Sequence, residues 1–237
     1  MTWRLLFLAA LWLPELPLHP ASGDLPMGWP HLLGTDSLGR DGLLRLLLAA
    51  ARSFGFASAV ALIALALALP AACGKGRPAS LWSALRALPP LLVLLPLAAA
   101  AGGLGWPTLA LVLAGLEARH LEAPLRARLE PFRASTAKAQ VRLLGAGPMH
   151  RLRTWAPWLE AQTRPLLPTV WIDALWAEAT LRLLGLGPGP QRDSLGLLLQ
   201  EELPRLATEP GPLALAALLL ALGLGAASNL RKEQPCR

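Results

Sequence analysis

The sequence predicts an all-α membrane protein, a polytopic bundle of about six transmembrane helices. Three observations carry that expectation. Residues 53–74, 87–116 and 210–230 contain no charged side chain, and each run meets the roughly 18 to 20 residues needed to cross a hydrocarbon core. Only 16% of the 237 residues are charged and 54% are apolar, against about 25% charged in an ordinary soluble domain. The basic residues are also clustered: nine of the 22 Lys and Arg fall between Arg119 and Arg164, and Arg231, Lys232 and Arg237 close the chain. By the positive-inside rule such clusters mark cytoplasmic segments. A secreted disulfide scaffold, a free nucleic-acid binder and a disordered chain are excluded by the same pattern, despite a net charge of +7.

Residues 1–20 form either a short first span or a signal-like segment, because Arg4 precedes the apolar stretch Leu5 to Pro14 as it would in a cleaved leader. An even number of crossings, leaving both ends inside, favours the span. Residues 21–45 carry Asp24, Asp36, Asp41, Arg40 and Arg45 among Gly and Pro and read as an outer loop. The second span is Ser53 to Cys73. Leu81 to Leu121 must hold two further spans, broken at Ala101 to Pro107. Residues 122–164 form a basic inner segment, Pro165 to Leu186 a fifth span, 187–209 a polar outer loop, Pro210 to Asn229 a sixth span, and 231–237 a cytoplasmic tail. Loops assigned alternately place 16 basic residues inside and six outside. Cys73 and Cys236 then face a reducing cytoplasm as free thiols.

Within the first loop, Gly34 and Gly39 permit a tight backbone, and Asp36, Arg40 and Asp41 can pair or cap a helix starting near Asp41. In the inner segment, Ala134 to Leu144 is helix-forming, Gly145-Ala146-Gly147 is a turn, and Pro148 suits the first turn of a second helix. Met149, Leu152, Trp155 and Leu159 approximate one apolar face of that helix, which Pro157 is expected to end. In the fifth span, Glu178 and Arg182 are spaced to pair, whereas Asp173 has no obvious local partner and is a candidate for a pathway-facing role. Glu117 and His120 share a helix face and suggest a membrane-embedded metal enzyme as the competing class; a solvated inner helix end is the simpler reading of that pair.

Residues 34–41, Gly-Thr-Asp-Ser-Leu-Gly-Arg-Asp, are similar to the G-T-D-x-x-G-R-D signature of the second membrane subunit of bacterial dipeptide and oligopeptide ABC transporter permeases. Arg45-Leu46-Leu47, Ala50 and Arg52 continue the match with one added residue. Ala177-Glu178-Ala179-Thr180-Leu181-Arg182-Leu183-Leu184-Gly185-Leu186-Gly187 resembles the family's A-E-A-S-L-S-F-L-G-L-G. The resemblance, covering about residues 31–230, implies a type I importer permease in the bacterial inner membrane. It further implies a second permease subunit, two ABC ATPase subunits that bind ATP and magnesium, and an extracytoplasmic substrate-binding protein. The chain itself would carry no cofactor and no catalysis, since no G-x-x-x-x-G-K-[ST] phosphate loop is present. Gly145, Ala146, Gly147, Met149, Leu152 and Trp155 would form the loop that couples to the ATPases. Its E-A-A positions are instead Ala139, Gln140 and Val141, so a degenerate, non-transporting subunit is a further alternative.

Overall fold

A computed structural model describes residues 23, 25–26, 28–36, 38–73, 88–134, 147–187, 193–205 and 210–232. Among them are seven α-helices and no strand: α1 (Gly42–Cys73), α2 (Pro90–Ala100), α3 (Trp106–Ala134), α4 (Pro148–Thr163), α5 (Leu167–Leu183), α6 (Leu195–Glu202) and α7 (Pro210–Lys232). A 3-10 turn at Leu203–Arg205 follows α6. The all-α expectation therefore holds for the described residues.

The central element is α1, against which α3, α5, α6 and α7 pack. Its 32 residues span about 48 Å at 1.5 Å per residue, well over a bilayer core of about 30 Å. Residues Gly42–Ala72, with mean hydropathy 2.2, are long and apolar enough to cross a membrane, and among the described residues they form the one helix that is. Small side chains explain why so many neighbours reach it. Ala49, Ser53, Ala57, Ala64, Ala68 and Ala72 are all buried at spacings of four or seven residues, a stripe that lets helix axes approach closely. Opposite it, α3 brings Leu109, Leu113, Leu121, Leu125 and Leu129, also buried. Large side chains from one helix fill the space left by small ones on the other.

Glycine stops two helices at the same end of the bundle. After α2, Gly102 takes a left-handed φ of 66°, with Gly102 N donating to Ala99 O and Gly103 N to Ala98 O at 2.9 Å. After α5, Gly185 has φ 71°, with Gly185 N donating to Arg182 O at 2.9 Å and Leu186 N to Leu181 O at 2.8 Å. Both are Schellman caps, which consume two otherwise orphaned carbonyls. The caps touch, since Leu104 N donates to Leu186 O at 3.4 Å.

Several boundaries differ from the sequence expectation. The first described helix starts at Gly42, eleven residues before Ser53, because its polar N-terminal residues are paired inside the bundle. Helix α3 does not end near Leu121: it continues to Ala134 through Pro124 and Pro131. Pro157 likewise lies within α4 and does not end it. Residues 193–202 are not a plain polar loop, for α6 buries Leu195, Leu197 and Leu198. Pro148 does begin α4, with Gly147 as its N-cap. The expectations for residues 1–20, Gly145, Ala146 and Cys236 lie outside the described residues.

Candidate functional site

The loop at residues 31–41 is built by its own side chains. Gly34 and Gly39 have φ of 69° and 73°, left-handed values that a β-carbon penalises by roughly 1–2 kcal/mol each. Between them Asp36 organises the turn: Oδ1 accepts from Leu38 N at 3.0 Å and Arg40 N at 2.8 Å, and Oδ2 accepts from Arg40 Nε at 2.7 Å. Thr35 Oγ1 accepts from Leu25 N at 2.9 Å, tying the preceding chain down. Asp41 caps α1 by accepting from Leu44 N at 2.9 Å, while His31 Nδ1 lies 2.8 Å from its other oxygen. Partial burial pushes the carboxyls of Asp36 and Asp41 up. For Asp36 the hydrogen bonds and charge of Arg40, with the charge of Arg45, outweigh it and hold the carboxyl below its ordinary value. For Asp41 the His31 contact and the cap amides do the same.

From this loop the polar network runs into the bundle. Arg45, one turn into α1 and only 3% exposed, donates from Nε to Asp193 Oδ1 at 2.8 Å and from Nη2 to Glu201, and its Nη1 lies 3.4 Å from Asp36 Oδ2. Arg40 Nη1 also reaches Asp193, at 3.7 Å. Two turns deeper, Ser53 Oγ donates to Glu178 Oε2 at 3.1 Å and accepts from Leu195 N at 3.0 Å. Ser194 caps α6, its Oγ accepting from Leu197 N at 3.3 Å, and its hydroxyl lies near Glu178. Arg182 Nε lies 3.6 Å from Glu178 Oε1, and its guanidinium stacks 5.0 Å from the Trp106 ring centroid.

The result is a buried ionic junction in which Gly34, Thr35, Asp36, Gly39, Arg40 and Asp41 meet Glu178 and Arg182 through Arg45, Ser53, Asp193 and Ser194. Both segments singled out in the sequence are therefore at one end of the bundle. Close packing is required there: a β-carbon on Gly196 would sit 2.7 Å from Ala179 Cα and 2.9 Å from Ala179 O, and one on Gly187 would sit 2.7 Å from the Arg182 side chain. The sequence reading missed Asp193, Glu201, Ser53 and Ser194. Their one signal was a Ser after an Asp before an apolar run, the usual start of a capped helix.

The remaining candidates lie elsewhere. Glu117 is not at a solvated helix end: it is 2% exposed, because α3 runs on past it and buries this stretch against the bundle. Its charge interacts with that of Asp173 on α5, so Asp173 does have a charged neighbour. Among the described residues no group of three or more His, Cys, Asp and Glu side chains is placed to hold a metal ion. Met149, Leu152 and Trp155 belong to α4; Trp155 is half-buried, and Trp158 and Leu159 pack on the core. Gly147 has φ −65°, and a β-carbon there would meet nothing within 4 Å. Glycine is not sterically required at that position. Comparison with protein-family models gives no match, and comparison with curated proteins gives none.

Proposed function

We propose that the chain is the membrane-spanning permease subunit of a bacterial ATP-binding-cassette importer, translocating peptides or a related small solute by alternating access. It would cross the inner membrane about six times and pair with a second permease, two cytoplasmic ATPases and an external binding protein. The observation that carries this reading is the ionic junction. The two segments that resemble the permease signatures are about 140 residues apart in sequence, yet α1 links their surroundings: Arg45 contacts Asp36 and Asp193, and Ser53 donates to Glu178. Residues that form one interlocked unit account for why both segments occur together.

In the mechanism, ATP-driven closure of the partner ATPases would push on the segment that includes α4, and the bundle would convert that push into inward and outward openings. Such a drive works only by stabilising one opening over the other. The junction would act as the rigid part of this motion, holding α1, α5 and α6 together at the outer end. The test is a pair of measurements on the assembled transporter. A cysteine replacing Trp155 should crosslink to an ATPase subunit, and cells carrying the intact set of subunits should accumulate solute in an ATP-dependent way. No crosslink and no uptake would leave a membrane subunit that does not transport.

A further inference from the structure

The loop that precedes α1 turns its charges inward and its apolar side chains out, the inverse of what water favours. Trp29 is 90% exposed, and Leu25, Leu32 and Leu38 are exposed with it. Asp36 and Arg40, by contrast, pair with each other and have side chains only 11% and 17% exposed. Residues 25–35 contain no Asp, Glu, Lys or Arg. The apolar exposure continues into α1, where Leu44 and Leu47, one turn apart, are also exposed. The turn that carries Trp29 is fixed by its own hydrogen bonds. Gly28 N donates to His31 O at 3.0 Å, enclosing Trp29 and Pro30, and Gly34 N donates to the same oxygen at 2.9 Å. Thr35 N donates to Leu25 O at 3.1 Å, and Leu25 N returns a bond to Thr35 Oγ1 at 2.9 Å. His31 in turn lies 2.8 Å from Asp41, the cap of α1. Trp29 is two residues from His31, no more than about 7 Å along the chain, so it is carried at the start of that helix.

The length of α1 determines what this turn faces. Its apolar stretch Gly42–Ala72 has 31 residues, about 46 Å at 1.5 Å per residue. That matches the roughly 40–45 Å of a bilayer with its headgroup layers and exceeds the roughly 30 Å of hydrocarbon alone. Crossing a bilayer, such a helix begins in a headgroup layer, and the turn held on its N-terminus stands at the same level. Indole rings favour that layer, with the apolar body toward the acyl chains and the N–H toward water. A side chain presented on a fixed turn also loses less freedom on burial than one on a loose chain. A surface built for a protein partner would carry a polar rim, and the uncharged tip of this loop has none.

We infer that residues 25–32 form a membrane-interface anchor, with Trp29 seated among the lipid headgroups beside the start of α1. The inference goes beyond the transport reading: it needs α1 to cross a bilayer, and no ATPase, solute or partner subunit. The full chain carrying Cys73→Ser, Cys236→Ser and Leu32→Cys is labelled at residue 32 with an environment-sensitive fluorophore and reconstituted in phosphatidylcholine nanodiscs. A nitroxide placed high on the lipid acyl chain should quench the label more strongly than iodide in the water does. Trp29→Phe should keep that order, and Trp29→Asp should invert it. The thermal unfolding midpoint in detergent should be the same in all three chains, because Trp29 is exposed in the fold. Iodide as the stronger quencher in the chain that keeps Trp29 overturns the inference. So does an order that Trp29→Asp leaves unchanged, since α1 alone would then set the position of the loop. Shielding of the label from both quenchers, the mark of contact with a second copy of the chain, overturns it as well.

Discussion

At the end of the bundle that holds residues 31–41, arginines and carboxylates interleave in the interior, and helices are joined by side chains distant in sequence. At the opposite end the described ion pair lies nearer the surface, its Arg126 and Glu122 side chains 28% and 16% exposed. There Arg126 Nη2 donates to Ala71 O at 3.0 Å and to Glu122 one turn back at 3.0 Å, and α4 leaves Ala156, Pro157 and Glu160 exposed. The difference teaches where each end can move. Removing one partner from a buried charge network strands another charge, so the first end has a single stable arrangement. At the second end the paired charges keep part of their hydration, so separating them strands no fully buried charge, and α4 has an exposed side there.

The sharpest way to break this contrast is to remove Arg45. Arg45→Met leaves Asp193 buried without its main counter-charge and should cost about 3–5 kcal/mol, read as a large fall in the thermal unfolding midpoint in detergent. Asp193→Asn should do nearly the same, and the two changes together should cost less than their sum because they disrupt one network. Next comes Gly196→Ala, which forces α6 away from the backbone of Ala179 and should cost about 1–3 kcal/mol as overpacking does.

A smaller effect is expected at the cap: Asp41→Ala should cost about 1 kcal/mol. Acid should act on the same loop. Because Asp36 and Asp41 titrate below their ordinary values in the folded chain, their contribution is present above the ordinary carboxylate value and is lost as pH falls through the lowered one. Proteolysis within residues 31–41 should therefore rise only in strong acid, and Asp36→Asn should remove part of that pH dependence. The smallest change belongs to the other end, where Gly147→Ala should shift stability by no more than about 0.5 kcal/mol. A large loss from Gly147→Ala together with a negligible one from Arg45→Met would erase the comparison.

What could be read from the sequence was local. Asp41 as a helix cap, the break between α2 and α3, Pro148 at a helix start and the pairing of Glu178 with Arg182 all depend on residues within a few positions of one another, where propensity and spacing decide. Asp193 escaped because its partner lies 148 positions away, and a charged residue near a proline-rich stretch reads as solvated when no contact is known. The burial of Glu117 was hidden for a related reason. Its neighbours in sequence, Arg119 and His120, announce a surface, while the burial of α3 is set mainly by its packing on α1. Pro157, Pro124 and Pro131 misled in the opposite sense, since packing keeps a helix continuous through a residue that locally disfavours it.

The long reach between Arg45 and Asp193 also has a consequence for biosynthesis. Translation at about 5–20 residues per second separates the two by roughly 7 to 30 s. Throughout that interval Arg45 has been made and its main counter-charge has not. The junction therefore closes late, after α5 and the start of α6 have emerged. A nascent chain halted before Asp193 would leave Arg45 with Asp36 alone of its three carboxylate partners, and the junction locks only once residues 193–201 have joined it.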